Sequence, residues 1–283
     1  RCLTISKDDF GICYILTNGY FVLTTSLESM QKTIDEIRKS EEKIGQLFIV
    51  GFNGKTLTPE FEKLFKQYKP GGVILFSKNI GNPTQLKKLT QDLQNLSVAE
   101  TGLPLLIAVD QEGGPISLVG FTKEKTPQSE IDNTDEAYRI GQTRGAELKE
   151  LGINLNLAPV LDITSQSDFL FNRSFQKNPE ETGILAKSLI EGQKTAGIFT
   201  AVKHFPGYGG ISFNPESSLA ELDNAPEISQ FKKAMEASPE FVMTSNVIYK
   251  NLDRNLPFTF SPTAIKFLKD NLNQDVLIIS DDL

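Results

Sequence analysis

Histidine and cysteine are nearly absent: the 283 residues hold one histidine and two cysteines, Cys2 and Cys13. Three such side chains cannot complete a structural zinc site of four Cys/His ligands. Both thiols fall at the start of the chain, so no disulfide framework braces the rest, and they read as ordinary thiols. No apolar run approaches the ~20 residues that span a bilayer, and no charged-then-apolar segment follows Arg1 to mark a compartment. Basic residues are not in excess either. Against 36 Asp and Glu, 29 Lys and Arg leave a formal net charge of −7, the wrong balance for a nucleic-acid binder. Internal repeats and low-complexity tracts are missing too. With 39% hydrophobic and 23% charged residues, the composition is that of an ordinary folded protein.

From Leu47 onward, short apolar runs alternate with amphipathic helical stretches. The runs cover 47–52, 72–76, 104–110, 153–163, 200–204, 241–248 and 276–280. They are rich in Val, Ile and Leu without polar alternation, as strands buried on both faces of a parallel sheet must be. Helices are expected at 59–68, 83–96, 179–194, 228–237 and 262–272, and from the Asn133-Thr134 cap to about Glu150. Such alternation leaves an open doubly wound sheet or a closed (β/α)8 barrel. No G-x-G-x-x-G follows the first run, which argues against a dinucleotide-binding sheet. Polar residues recur at the C-terminal ends of the runs: Asp110, Asp162, Lys203-His204, Asn246 and Asp281-Asp282. A barrel gathers those ends into one mouth, where its active site forms. The expected fold is therefore an α/β, TIM-type (β/α)8 barrel over 41–283, read as truncated after its seventh strand. The eighth strand is expected beyond Leu283 or from another source.

Residues 1–40 depart from this pattern. Two strands, 10–16 and 20–25, flank the hairpin signal Asn18-Gly19, and a helix is expected at 27–40. They read as the tail of an upstream α+β segment or as a decoration of the barrel.

Three clusters carry candidate chemistry. Lys203-His204-Phe205-Pro206-Gly207-Tyr208-Gly209-Gly210 ends a strand on two nitrogen donors and continues as a glycine-rich loop free to move. A solvated Lys and a core His are the plain alternative. Asp110-Gln111-Glu112-Gly113-Gly114 places polar side chains directly after an apolar strand, with Asp110 suited to accept sugar hydroxyls; capping explains the glycines but not the Asp. Ser280-Asp281-Asp282 ends a buried strand on a carboxylate, a placement that favours a nucleophile or base over a helix cap. Arg173, in Asn172-Arg173-Ser174-Phe175, adds a cation that alone would read as surface solvation.

Taken together, D-Q-E-G-G at 110–114, N-L-A-P-V-L-D-I at 156–163, N-R-S-F at 172–175, K-H-F-P-G at 203–207 and S-D-D-L at 280–283 make residues 44–283 resemble the catalytic barrel of glycoside hydrolase family 3. The likeness is greatest to its β-N-acetylhexosaminidase branch. The resemblance implies Asp281 as nucleophile of a retaining mechanism, and Asp110, Arg173, Lys203 and His204 as the grip on the sugar. It implies a β-glycoside as partner, a peptidoglycan fragment among the candidates, and neither a metal nor an organic cofactor.

The chain departs from the family pattern on the mobile loop. The family's G-H-G-D-T-x-x-D-S-H reads Gly207-Tyr208-Gly209-Gly210-Ile211-Ser212-Phe213-Asn214-Pro215-Glu216. Asn214 replaces the dyad Asp and Glu216 the catalytic His. The arginines expected after D-Q-E-G-G are Pro115 and Leu118, and Asn246 replaces a His. Either Glu216 serves as acid/base, as in the carboxylate pairs of most glycosidases, or the barrel only binds glycan. A further alternative keeps hydrolysis and changes the sugar, toward β-glucosides or β-xylosides.

Overall fold

A computed structural model describes residues 20–24, 44–215, 217–272 and 275–282 of the chain. Eight parallel strands close into a barrel: β1 (Tyr20–Thr24), β2 (Phe48–Gly51), β3 (Gly72–Leu75), β4 (Leu106–Val109), β5 (Leu155–Asn156), β6 (Phe199–Phe205), β7 (Phe241–Thr244) and β8 (Leu277–Ser280). Each strand from β2 to β8 pairs with its neighbours in chain order, and β1 joins β8 to β2. All seven apolar runs after Leu47 thus supply staves of the wall. The eighth place is filled from the N-terminal side, by one of the two strands expected around Asn18-Gly19. That strand lies parallel to both neighbours; the expected partner strand 10–16 and the helix 27–40 lie outside the described residues.

Two runs are shorter as strands than expected. The run 153–163 pairs as β5 only over Leu155–Asn156, and Val160 bridges to Lys203 beyond Pro159, which lacks the N–H a ladder needs. The run 241–248 splits: after β7, Val247–Tyr249 leaves the wall and pairs with Ala220–Leu222 above it.

Helices α1 (Pro59–Tyr68), α2 (Pro83–Thr101), α3 (Thr134–Glu150), α4 (Pro179–Ala196), α5 (Ser229–Ala234) and α6 (Pro262–Asn271) lie between the strands. Four of them begin with proline at the first helical position behind a Thr, Asn or Ser cap: Thr58, Asn82, Asn178 and Ser261 each accept a backbone N–H. The strands face apolar surroundings on both sides. Ile49, Ile74, Ala108, Leu155, Ala201, Met243 and Ile279 fill the barrel's interior, whereas Phe48, Val50, Val73, Leu75 and Val242 pack outward beneath the helices. Two-sided burial is why the runs carry no polar alternation. Among the described residues no helix is long and apolar enough to cross a membrane.

Candidate active site

The C-terminal ends of the strands converge on a cavity of about 290 Å³. Its lining includes Asp110 after β4, Arg173, Lys203 and His204 on β6, Asn246 after β7 and Asp281 after β8. Five of the six expected site residues therefore share one pit. The sixth, Glu216, lies outside the described residues, although Asn214 and Pro215 line the same cavity.

A buried charge cluster forms the floor. Lys203, 2% exposed, reaches Asp110 Oδ1 at 2.5 Å and Glu112 Oε1 at 2.6 Å. Arg173 grips the same Glu112 with a fork, Nε to Oε2 at 2.9 Å and Nη2 to Oε1 at 2.6 Å. Such bidentate geometry fixes a planar guanidinium in orientation as well as in charge. Burial alone would raise the Glu112 pKa, but the Lys203 and Arg173 charges outweigh it and hold the carboxyl at about 2. The reverse holds for Lys203: burial disfavours its charge, and the Asp110 and Glu112 carboxylates push its pKa up regardless. Both cations therefore stay charged.

A second network runs through Asp162. Its Oδ2 accepts both the backbone N–H of His204 at 3.0 Å and the ring Nδ1 at 2.8 Å, while its Oδ1 accepts the Tyr208 N–H at 2.6 Å. An acidic partner on Nδ1 selects the tautomer with the proton there and turns Nε2 toward the cavity. That nitrogen stands 3.9 Å from Asp281 Oδ2. Tyr208 donates its hydroxyl to the same carboxylate oxygen at 2.7 Å. The other oxygen, Oδ1, accepts the Asp282 N–H at 2.9 Å.

The glycine loop after β6 is more firmly held than its composition suggests. Tyr249 Oη donates to the Gly207 carbonyl at 2.7 Å, and the Gly210 N–H donates to Asp168 at 2.9 Å. Gly209 packs so closely on Ile163 that a Cβ there would lie 2.3 Å from its carbonyl oxygen. Close approach, rather than looseness, is what this glycine provides.

The family model for the glycosyl hydrolase family 3 N-terminal domain matches residues 39–283. The chain belongs to glycosyl hydrolase family 3. Among curated relatives, β-hexosaminidase A of Pseudoalteromonas piscicida is 32% identical over 218 residues, covering 71% of this chain and 36% of that protein. A β-hexosaminidase of Idiomarina loihiensis is 33% identical over 250 residues, 83% of this chain and 74% of its own. Among solved structures, a family 3 β-N-acetylglucosaminidase from a Paenibacillus strain superposes with a TM-score of 0.80 at 31% identity, covering 84% of this chain and 48% of that one. The chain thus spans about a third to a half of the length of two of these relatives.

Within the family 3 barrel, four residues in or behind the pit do more than their sequence context suggests: Tyr208 lines it, and Glu112, Asp162 and Arg144 hold residues that do or the turn beside them. Glu112 sits inside D-Q-E-G-G, where it resembles any turn carboxylate; only the fold brings Arg173, 61 positions away, against it. Asp162 shows as a polar strand end, but nothing local marks it as the holder of His204. Tyr208 reads as a replaced histidine, and its link to Asp281 spans 73 positions. Arg144 gives no signal at all. On α3 it resembles a solvated helix residue, yet it is 1% exposed and donates to the carbonyls of Glu112 and Thr126 at 2.7 and 2.9 Å, fixing the turn that carries Glu112.

Asn246 turns its amide to structural use. It donates to the Asp282 carbonyl at 2.6 Å and accepts from Thr259 at 2.7 Å, steadying the strand end that bears Asp281.

Proposed function

We propose that this barrel hydrolyses β-glycosides with retention of configuration, with Asp281 as nucleophile and Glu216 as acid/base. The observation that carries the reading is the convergence of Asp281 with Asp110, Arg173, Lys203 and His204 in one partly enclosed pit. Asp110 accepts hydroxyl hydrogens of the sugar, and Lys203, with two of its three N–H bonds taken by carboxylates, donates the third. His204 accepts through Nε2. A hexose held this way presents C1 to Asp281.

The carboxylate of Asp281 attacks C1 as the bond to the aglycone breaks, and the aglycone oxygen takes a proton from the acid. Water then attacks the glycosyl-enzyme, gives its proton to the same group, and the carboxylate departs. His204 does not suit the acid role. Its Nε2 lies 3.9 Å from Asp281 Oδ2, whereas retaining glycosidases hold their two carboxyl groups roughly 5–5.5 Å apart, on opposite sides of the bond being cleaved. Asn214 and Pro215 line the cavity, Glu216 is the next residue in the sequence, and an Asn at 214 adds no negative charge to the loop.

The β-hexosaminidase relatives support a β-N-acetylhexosaminide as substrate. Leu118 at the cavity wall, where the resemblance leads one to expect an arginine, supports the alternative of a changed sugar. Asn214 favours the second reading, a barrel that binds glycan without cleaving it. Glu216→Gln separates these readings. It should slow β-glycosides of poorly acidic aglycones far more than activated aryl β-glycosides; equal slowing of both removes Glu216 from the acid role. A wild-type chain that binds the sugar and releases no aglycone from any aryl β-glycoside supports the binding barrel.

A further inference from the structure

Tyr208 has chemistry that the grip on the sugar leaves unused. Its ring is 2% exposed and lies between His204 and Phe169, with centroids 4.9 and 5.6 Å away. The phenol oxygen accepts the backbone N–H of Asn246 at 2.9 Å, which turns its own proton toward Asp281 Oδ2 at 2.7 Å. Its backbone N–H meanwhile binds Asp162, the holder of His204.

We infer that Tyr208 is a positioning residue that makes the Asp281 carboxylate a better leaving group when the glycosyl-enzyme breaks down, an inference that rests on the nucleophile reading above. In the first step the carboxylate loses negative charge as its oxygen bonds to C1. In the second, water bonds to C1, its proton goes to the acid/base, and the C1–Oδ electron pair returns to Asp281. A donor on that carboxylate stabilises the charged form more than the ester, so it favours the second step at some expense to the first. Burial, reinforced by the Asp281 charge, pushes the Tyr208 pKa well above the ordinary phenol value, which keeps the hydroxyl a neutral donor.

The groups facing Asp281 are the Tyr208 hydroxyl, His204 Nε2, the Asp282 N–H and the Arg173 charge, with Asp162 behind His204. Two variants alter the first, and the phenylalanine one also removes the acceptor of the Asn246 N–H. Tyr208→Phe removes the hydroxyl, and 3-fluorotyrosine at position 208 keeps its shape while strengthening it as a donor. With Tyr208→Phe, reactivation of the adduct formed by a 2-fluoroglycosyl donor should slow about tenfold, the loss of one charge-assisted hydrogen bond. The acid limb of the kcat/KM profile on an aryl β-glycoside should move to higher pH. Fluorotyrosine should move that limb the other way and speed reactivation, and it decides the matter if the phenylalanine variant does not fold. A tyrosine that only packs would alter stability or KM and leave both readouts in place. An adduct on Asp281 in the wild type, with reactivation and acid limb unchanged in the variants, overturns the inference and leaves the nucleophile reading standing. A wild-type adduct on another residue, or none, overturns both.

Discussion

Replacing Glu112 by glutamine removes a charge from the floor of the pit while keeping its shape. The carboxyl is 1% exposed and pairs with both Lys203 and Arg173, Lys203 sharing Asp110 as a second partner. Its drop from the ordinary 4.5 to about 2 corresponds to about 3 kcal/mol of folding stability. Breaking a buried ion cluster from one side costs about 3–5 kcal/mol, because Arg173 loses its carboxylate and Lys203 is left with Asp110 alone. The two figures agree in scale. Since the native pKa is depressed, this stability is fully present above pH 4.5 and is lost as pH falls toward 2. Urea unfolding of wild type and Glu112→Gln, followed at several pH values, measures it. The variant should be less stable by about 3 kcal/mol near neutrality, with the gap closing on acidification as the wild-type carboxyl takes up its proton. A gap that is absent near neutrality, or that persists unchanged down to pH 2, refutes the reasoning.

Further outcomes follow from the same contacts. Asp162→Asn should leave at least one buried N–H of His204 or Tyr208 without an acceptor, lowering stability by about 1–3 kcal/mol and kcat/KM by about tenfold or more; a thermal melt and aryl glycoside kinetics read both. Gly113→Ala should destabilise the fold by about 3 kcal/mol or more, checked by denaturant midpoint. The position has φ of 94°, and a Cβ there would sit 2.1 Å from the Thr126 carbonyl oxygen.

The wall of the barrel was legible because two-sided burial leaves unbroken Val-Ile-Leu runs, and four of its helices open on a proline behind a capping side chain. Tyr20–Thr24 was legible as a strand but not as a stave. The Asn18-Gly19 signal speaks for a local hairpin, whereas its parallel pairing with Leu277–Ser280 joins opposite ends of the chain, which no local pattern encodes. In the pit, the polar strand ends Asp110, Lys203, His204 and Asp281 stood out because an apolar strand has no structural need of them. The roles of the residues that hold them did not. Glu112, Asp162, Tyr208 and Arg144 act through partners that only the closed barrel supplies, and alone they resemble a turn carboxylate, a strand end, a replaced histidine and a solvated helix residue.

Mass spectrometry of the wild-type chain after treatment with a 2-fluoro β-glycosyl donor, followed by peptide mapping, probes whether the strand-end carboxylate performs the chemistry. One sugar should be esterified to Asp281, and Asp281→Asn should take up none. Modification at a different carboxylate, or steady turnover of an aryl β-glycoside by Asp281→Asn, would contradict the account.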